Sequence, residues 1–338
     1  MLKNPFFPFF LFFLFAASVS FAQQNKLNAY NYRTYTSITC MHGAVVSAHA
    51  LASGVGVNIL KQGGNAVDAA ITTQLALAVV YPDAGNIGGG GFMIAHLKDG
   101  KNIAIDYRET APAAATKDMY LDANGNPQMQ LSQDGRLAAG VPGTVAGLFA
   151  AMKYAKLPFK KLIQPAIDLA EKGFAISESQ AASFNSFKKE FIKLNSTIPV
   201  FVKNIEWKKG DTLIQKDLAN TLKRIRDKGA KGFYEGETAK LIVEEMGKGK
   251  GIITIGDLKN YTAKNREPIV FNYKGSTIVT MPLPSSGGII LEQMLKMSEA
   301  KNLSDMKFET LQSVQLMTEV ERRAFADRAK YLGDADFV

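Results

Sequence analysis

Cysteine is almost missing: Cys40 is the only one in 338 residues. No intramolecular disulfide can form, and a zinc site built on cysteines is excluded. Histidine is scarce too. His42, His49 and His96 do not stand at metal-ligand spacing, and His49 at a helix start and His96 in a strand run read as structural. There is no Gly-x-Ser-x-Gly elbow, no His-Glu-x-x-His and no calcium loop, so no self-contained catalytic or metal constellation is present. Neither a metal nor an organic cofactor is called for. The formal net charge of +9 comes from dispersed lysines, with pairs at Lys160-Lys161, Lys188-Lys189 and Lys208-Lys209. No arginine-rich arm or basic-aromatic interleaving accompanies them, which speaks against a nucleic-acid partner. An acidic partner segment remains an open explanation of the surplus.

Long apolar runs are also lacking, apart from one. Lys3 followed by apolar Phe6 to Val19 and by Ser20-Phe21-Ala22 reads as a secretory signal peptide over residues 1–22. The run contains Pro8 and is short for the roughly 20 residues of a membrane span. A cleaved signal, no stable membrane anchor, and a periplasmic or secreted protein are therefore expected. Residues 23–43 read as a polar arm of the mature chain, and 44–338 as its folded region.

Periodicity outlines that region. Ala44 to Ala48 reads as a short buried strand. Leu51, Val55, Ile59 and Leu60 form a helical stripe that stops at Gly63-Gly64. Asn65 with Asp68 reads as a capping box opening a helix from Ala66 to Val80 that is apolar nearly all round, hence buried. Phe92 to Leu97 reads as a buried strand, and with the strand Asn102 to Tyr107 it flanks the turn at Asp99-Gly100, so the two must be antiparallel. Helices are predicted over Gly143–Tyr154, Pro158–Lys172, Gln215–Lys228, Glu235–Lys248, Ile290–Ala300 and Phe308–Ala329, with another starting at Ser177. Lys274-Gly275 marks a hairpin between Ile269–Tyr273 and Thr277–Met281. Phe184 to Gly210 has no decided pattern. Helices on a mostly antiparallel sheet, without βαβ alternation or repeats, make the chain α+β or a four-layer α/β sandwich.

The chemistry concentrates where Gly88-Gly89-Gly90-Gly91 opens one strand and Arg108-Glu109 leaves the next. Glycines let backbone approach a ligand closely, and a guanidinium matches a carboxylate in a bidentate fork. A carboxylate site is one reading; a tight turn and a surface ion pair is the other. No phosphate loop or dinucleotide fingerprint is present, because the glycines precede a strand. Ser285-Ser286, between Pro284 and Gly287-Gly288, reads as a shaping turn, with no base near it in sequence.

Taken in order, several segments carry a resemblance. They are His49-Ala50-Leu51-Ala52-Ser53, Lys61 to Ala70, the glycine run, Asp106-Tyr107-Arg108-Glu109-Thr110-Ala111-Pro112, Gly140 to Gly147, Pro284 to Gly288, and Ala324-Phe325-Ala326-Asp327-Arg328. From about Ala44 to Val338 the chain resembles the large, N-terminal part of the γ-glutamyltranspeptidase (glutathione hydrolase) family. That resemblance implies an N-terminal-nucleophile hydrolase αββα sandwich, here partial, with the small-subunit strands outside this chain. It implies γ-glutamyl transfer from, and hydrolysis of, glutathione and other γ-glutamyl compounds, with amino acids or peptides as acceptors. The acyl-enzyme would form on an N-terminal threonine that self-cleavage exposes at the head of the small subunit. The chain runs to Tyr331-Leu332-Gly333-Asp334-Ala335-Asp336-Phe337-Val338 without a Thr-Thr-His motif, so no catalytic residue is expected within it. Of the family's substrate residues, Arg108 carries over as the ligand of the γ-glutamyl α-carboxylate, with Glu109 in support. A truncated non-catalytic remnant or binding protein, and a sibling cephalosporin acylase, are the alternatives.

Overall fold

The computed structural model describes residues 39–301, 303–307 and 309–337. The expected signal peptide over residues 1–22 and most of the expected 23–43 arm lie outside them. The chain divides into two units, Met1–His42 and Gly43–Val338. Of the first, residues 39–42 are described; they form no regular element, and the Cys40 thiol is exposed.

The second unit is mixed helix and antiparallel sheet. α1 (Ala50–Lys61) begins where His49 Nδ1 accepts the Leu51 N–H at 3.2 Å, and it ends before Gly63. α2 (Ala66–Val80) opens on the capping box, with Asp68 N–H on Asn65 Oδ1 at 3.0 Å and Asn65 N–H on Asp68 Oδ2 at 2.7 Å. The box does more than start a helix. The fully buried Asp68 carboxylate also accepts the Lys156 and Leu157 N–H groups at 3.1 and 2.9 Å, and Asn65 Nδ2 donates to Tyr154 O at 2.8 Å. A helix start thereby pins a loop nearly ninety residues away. Ile71, Leu75, Val79 and Val80 are buried, and α2 lies between α1 and α5 (Phe159–Lys172) at the centre of the core.

Between α2 and α5 run the hairpin strands β1 (Phe92–His96) and β2 (Asn102–Asp106), the short α3 (Met129–Gln133) and α4 (Thr144–Ala151). β1 is the edge strand of a three-stranded sheet. Ile94 is exposed, so burial of this strand is only partial, contrary to expectation. His96 bonds across the hairpin to Asn102 at 2.7 Å. The expected strand at Ala44–Ala48 does not form. Those residues have no strand partner among the described residues, and Val46 is 92% exposed. An apolar β-branched pattern alone does not make a strand without a ladder to join.

Beyond α5 come β3 (Phe174–Ala175), α6 (Glu178–Ser186), which opens on the Ser177–Gln180 capping box, and α7 (Lys188–Leu194). The undecided stretch after Phe184 is organised by rings. Phe201 packs 5.3 Å from Phe184 and 5.7 Å from Phe191, and Trp207 Nε1–H donates to Phe201 O at 2.7 Å. β4 (Thr212–Leu213) pairs with β3, and α8 (Lys216–Lys228) lays Leu222 and Ile225 on α5. α9 (Lys231–Tyr234), α10 (Gly236–Gly247) and α11 (Ile255–Asn260) lead to β5 (Lys264–Arg266), the third strand of the first sheet, antiparallel to β2. β6 (Ile269–Tyr273) and β7 (Ser276–Thr280) form the predicted hairpin. Lys274 and Gly275 both have positive φ, 46° and 80°, as a tight two-residue turn demands. α12 (Gly287–Glu299) and α13 (Leu311–Tyr331) pack together at the end.

One surface ion cluster ties α10 to the 3-10 turn Arg136–Ala138 and to the irregular segment after α7. The Glu245 carboxylate takes Arg136 Nη2 at 2.5 Å, Ser196 Oγ at 2.7 Å and Lys248 Nζ at 3.0 Å. Partial burial opposes its charge, but the bonds from Ser196, Lys248 and Arg136 prevail and hold the carboxyl at about 2.

Two stability effects are expected. Asp68→Asn places an amide among N–H donors and should cost about 2–4 kcal/mol in denaturant unfolding at neutral pH, since one acceptor oxygen is lost in a buried site. Glu245 has a depressed folded-state value, so its contribution is complete above about pH 4.5 and fades as pH falls through about 2. Glu245→Gln should therefore lower stability by about 1–2 kcal/mol at pH 7, screening by solvent being allowed for, and the gap to the parent should close on acidification. Paired thermal melts across pH 2–7 read this directly.

Candidate carboxylate-binding site

Asp106 ends β2, and Tyr107 is the last residue paired with the segment that leads into β1. Its N–H donates to Gly91 O at 3.0 Å and its carbonyl accepts the Gly91 N–H at 3.2 Å. The glycine run is held from behind by Asn86, whose Oδ1 accepts the Gly89 N–H at 2.9 Å and the Thr144 hydroxyl at 2.8 Å. Gly89 O in turn accepts the N–H groups of Gly143 and Thr144 at 2.7 and 2.9 Å, which docks the start of α4 against the loop.

Close approach explains the glycines. A Cβ at Gly90 would lie 2.5 Å from Tyr107 O and 2.7 Å from Glu109 N. One at Gly147 would lie 2.1 Å from the Tyr107 ring, and one at Gly143 would lie 2.0 Å from Tyr107 O and 2.1 Å from the Tyr261 hydroxyl. The segment Gly140 to Gly147 is thus cut to fit Tyr107. Burial pushes the Tyr107 phenol up, and its hydroxyl lies 3.3 Å from both Gln74 Oε1 and Phe92 O.

Arg108 is the first residue free of the sheet, and both of its backbone polar groups are gripped. Its N–H donates to Asp106 Oδ1 at 3.1 Å, and its carbonyl accepts the Tyr261 hydroxyl at 2.7 Å. The exposed guanidinium donates from Nη1 to Pro284 O at 3.4 Å, where Leu283-Pro284 is a cis peptide. Glu109 lies over the loop, its two carboxylate oxygens 2.9 and 2.8 Å from where side chains on Gly89 and Gly90 would begin. Arg108 and Glu109 line a cavity of about 400 Å³ together with Tyr261, Lys264, Pro284 and Asp336. The structure thus brings Arg108, Glu109 and the glycine run together. Ser285 and Ser286 form the turn expected of them, with Ser286 Oγ accepting from Arg328 Nε at 3.0 Å.

Five contributors escaped sequence reasoning. Asp106, with its side chain almost wholly buried, accepts Arg266 Nη2 and Nε at 2.9 and 3.1 Å. Arg266 also binds Asp336 at 2.6 Å, and Lys264 joins the same carboxylate at 2.5 Å. The bonds from Arg266 and then Lys264 hold the Asp336 carboxyl well below the ordinary carboxylate range. Tyr261 stacks on Tyr234 with centroids 5.9 Å apart. Burial, followed by neighbouring negative groups, keeps its phenol protonated and therefore a hydrogen-bond donor. Tyr261, Lys264, Arg266 and Asp336 lie about 150 or more residues from Arg108, and no local spacing signals them. For Asp106 the one local signal is an acidic residue closing the apolar run Ile103-Ala104-Ile105.

Among the described residues no group of acidic, histidine or cysteine side chains is placed to hold a metal ion, and no helix is long and apolar enough to cross a membrane. The chain is mixed helix and antiparallel sheet with a cleft of opposed charges at one sheet end, and its solved neighbours place it in the N-terminal-nucleophile hydrolase fold. The γ-glutamyltranspeptidase from Helicobacter pylori superposes with a TM-score of 0.87 at 48% identity, covering 89% of this chain and 87% of that one. A family model described as gamma-glutamyltranspeptidase matches residues 52–338. The chain belongs to the γ-glutamyltranspeptidase family. It is 45% identical over 304 residues to the glutathione hydrolase proenzyme of Escherichia coli, covering 89% of this chain and 52% of that protein. Against the glutathione hydrolase proenzyme of Bacillus subtilis it is 44% identical, with 96% and 56% covered. The chain spans about half the length of the curated relatives it matches.

The Gly90 contact can be tested alone. Gly90→Ala should force Tyr107 and Glu109 apart, lowering the thermal midpoint by several degrees for a cost of about 1–3 kcal/mol, whereas Gly100→Ala, in the open β1–β2 turn, meets no neighbour and should be felt only through its positive φ. Calorimetry of the two variants compares them.

Proposed function

We propose that this chain is the large-subunit part of an enzyme that transfers and hydrolyses γ-glutamyl groups, with glutathione as a substrate. The single observation that carries the reading is Arg108, clamped through its backbone and presenting a guanidinium to a cavity that Glu109 shares. An amino-acid head group bears one carboxylate and one ammonium, and the cavity offers a cation and an anion side by side. In this reading Arg108 takes the α-carboxylate of the γ-glutamyl donor, and Glu109, braced on the glycine loop, helps hold its orientation.

The remaining chemistry rests on the family. No Thr-Thr-His sequence occurs in the chain. The nucleophile would be the N-terminal threonine of a small subunit cut from the same precursor, in keeping with the word proenzyme in the relatives' names. The threonine hydroxyl, losing its proton to the threonine's own α-amino group, attacks the γ-glutamyl carbonyl and expels the amine of the donor. Water, an amino acid or a peptide then releases the glutamyl group from the ester. Residues 1–22 would direct export to the periplasm or beyond.

Arg108→Lys, made in the protein expressed from its complete gene, keeps the charge but loses the fork. KM for a γ-glutamyl donor should rise about 10–100-fold with kcat changed far less, a loss of one or two charge-assisted bonds. Unchanged KM in steady-state kinetics overturns the assignment.

A further inference from the structure

Arg108 stands between the last pair of its strand, at Tyr107, and an isolated bridge from Thr110 to Val141, with no strand partner of its own, yet carboxylate recognition needs its guanidinium placed within a fraction of an ångström. What substitutes for the missing ladder is a side chain. Asp106 reaches forward along the chain and accepts the Arg108 N–H on Oδ1, leaving Oδ2 for Arg266 alone. The register of the sheet makes this possible. Asp106 is paired with Lys264 and Ala104 with Arg266, so Arg266 sits diagonally from Asp106 on the same face. Lys264, directly opposite, turns instead to Asp336, and Arg266 spans both carboxylates with its fork.

We propose that Arg266 is a positioning residue for substrate recognition: by locking the Asp106 carboxylate it fixes the backbone, and hence the guanidinium, of Arg108. The inference rests on the reading of Arg108 as the carboxylate ligand and extends it to Arg266, which borders the same cavity but has its fork committed to Asp106 and Asp336. Three features carry it. The Asp106 side chain is 7% exposed and the Arg266 side chain 16%, so water replaces their bonds poorly. Both Nε and Nη2 of Arg266 bear on one oxygen of Asp106, which leaves the other directed at Arg108 N. No described hydrogen bond to Asp106 Oδ2 comes from any other group. Without Arg266 the buried carboxylate loses its counter-charge and turns toward solvent or toward Lys264, releasing the Arg108 amide. Tyr261 would then hold the peptide from one side only.

The test uses the protein expressed from its complete gene, with γ-glutamyl-p-nitroanilide as donor and L-glutamate as competing ligand. Arg266→Gln should raise KM and the glutamate inhibition constant about tenfold or more while kcat stays within a few-fold, as expected of a group that places a binding residue rather than one that reacts. Arg266→Lys, restoring the charge without the fork, should fall between. Asp106→Asn, nearly isosteric, should reproduce Arg266→Gln and serves if the latter does not fold. In the double variant Arg108→Gln/Arg266→Gln, glutamate should bind no more weakly than in Arg108→Gln alone, because both changes remove one function. Additive losses, or equal falls in kcat with KM unmoved, overturn the proposal and reduce Arg266 to a structural bridge. If Arg108→Gln weakens glutamate and Arg266→Gln does not, only this inference fails. If Arg108→Gln leaves glutamate binding intact, the reading of the site fails and this inference with it.

Discussion

The site is built on the close approach of three backbone segments around Tyr107. Its peptide groups pair with Gly91, its carbonyl faces Gly90 and Gly143, and its ring lies under Gly147. Any of these contacts is lost if a methyl group separates the chains, because the interior has no slack to absorb it. The strand end, the glycine loop and the start of α4 therefore form one rigid corner. Arg108 and Glu109 leave that corner with their direction already set. A glycine-rich motif serves here as a packing surface for an aromatic residue and as a seat for a carboxylate.

How far the sequence revealed this depends on distance along the chain. Helix starts were legible because a capping box lies within four residues, as at Asn65–Asp68 and Ser177–Gln180. The β6–β7 hairpin was legible because Lys274-Gly275 supplies the positive φ its turn requires. Residues 44–48 misled, since their apolar character resembles a strand but pairing is a property of a partner. The stretch after Phe184 was opaque for the opposite reason: Phe184, Phe191, Phe201 and Trp207 meet in space without any period in sequence. Likewise Arg108 and Glu109 stood out beside the glycines. Tyr261, Lys264 and Arg266 did not, because the chain reversal into β5 and the sheet register bring them there.

Charge is distributed by the same logic. The surface carries a lysine excess, whereas buried or half-buried charges occur as compensated sets such as Asp106 with Arg266 and Asp336, or Glu245 with Arg136. A carboxylate removed from water is tolerated when several donors converge on it. Within the cleft this leaves the Arg108 guanidinium with a single described hydrogen bond, a long one to a backbone carbonyl. Its hydrogen-bonding capacity is largely unspent, while that of its neighbours is committed to the frame.

Asp68 illustrates what such commitment does to motion. Loops ordinarily open and close independently of the core they border. Residues 154–157 have no such freedom, because Asn65 and Asp68 draw their backbone groups onto the first turn of the central helix. To open, this connection must strip donors from a fully buried carboxylate. A segment that looks like a hinge between two helices is thereby enrolled in the same cooperative unit as α2, and α4 and α5 are denied a pivot.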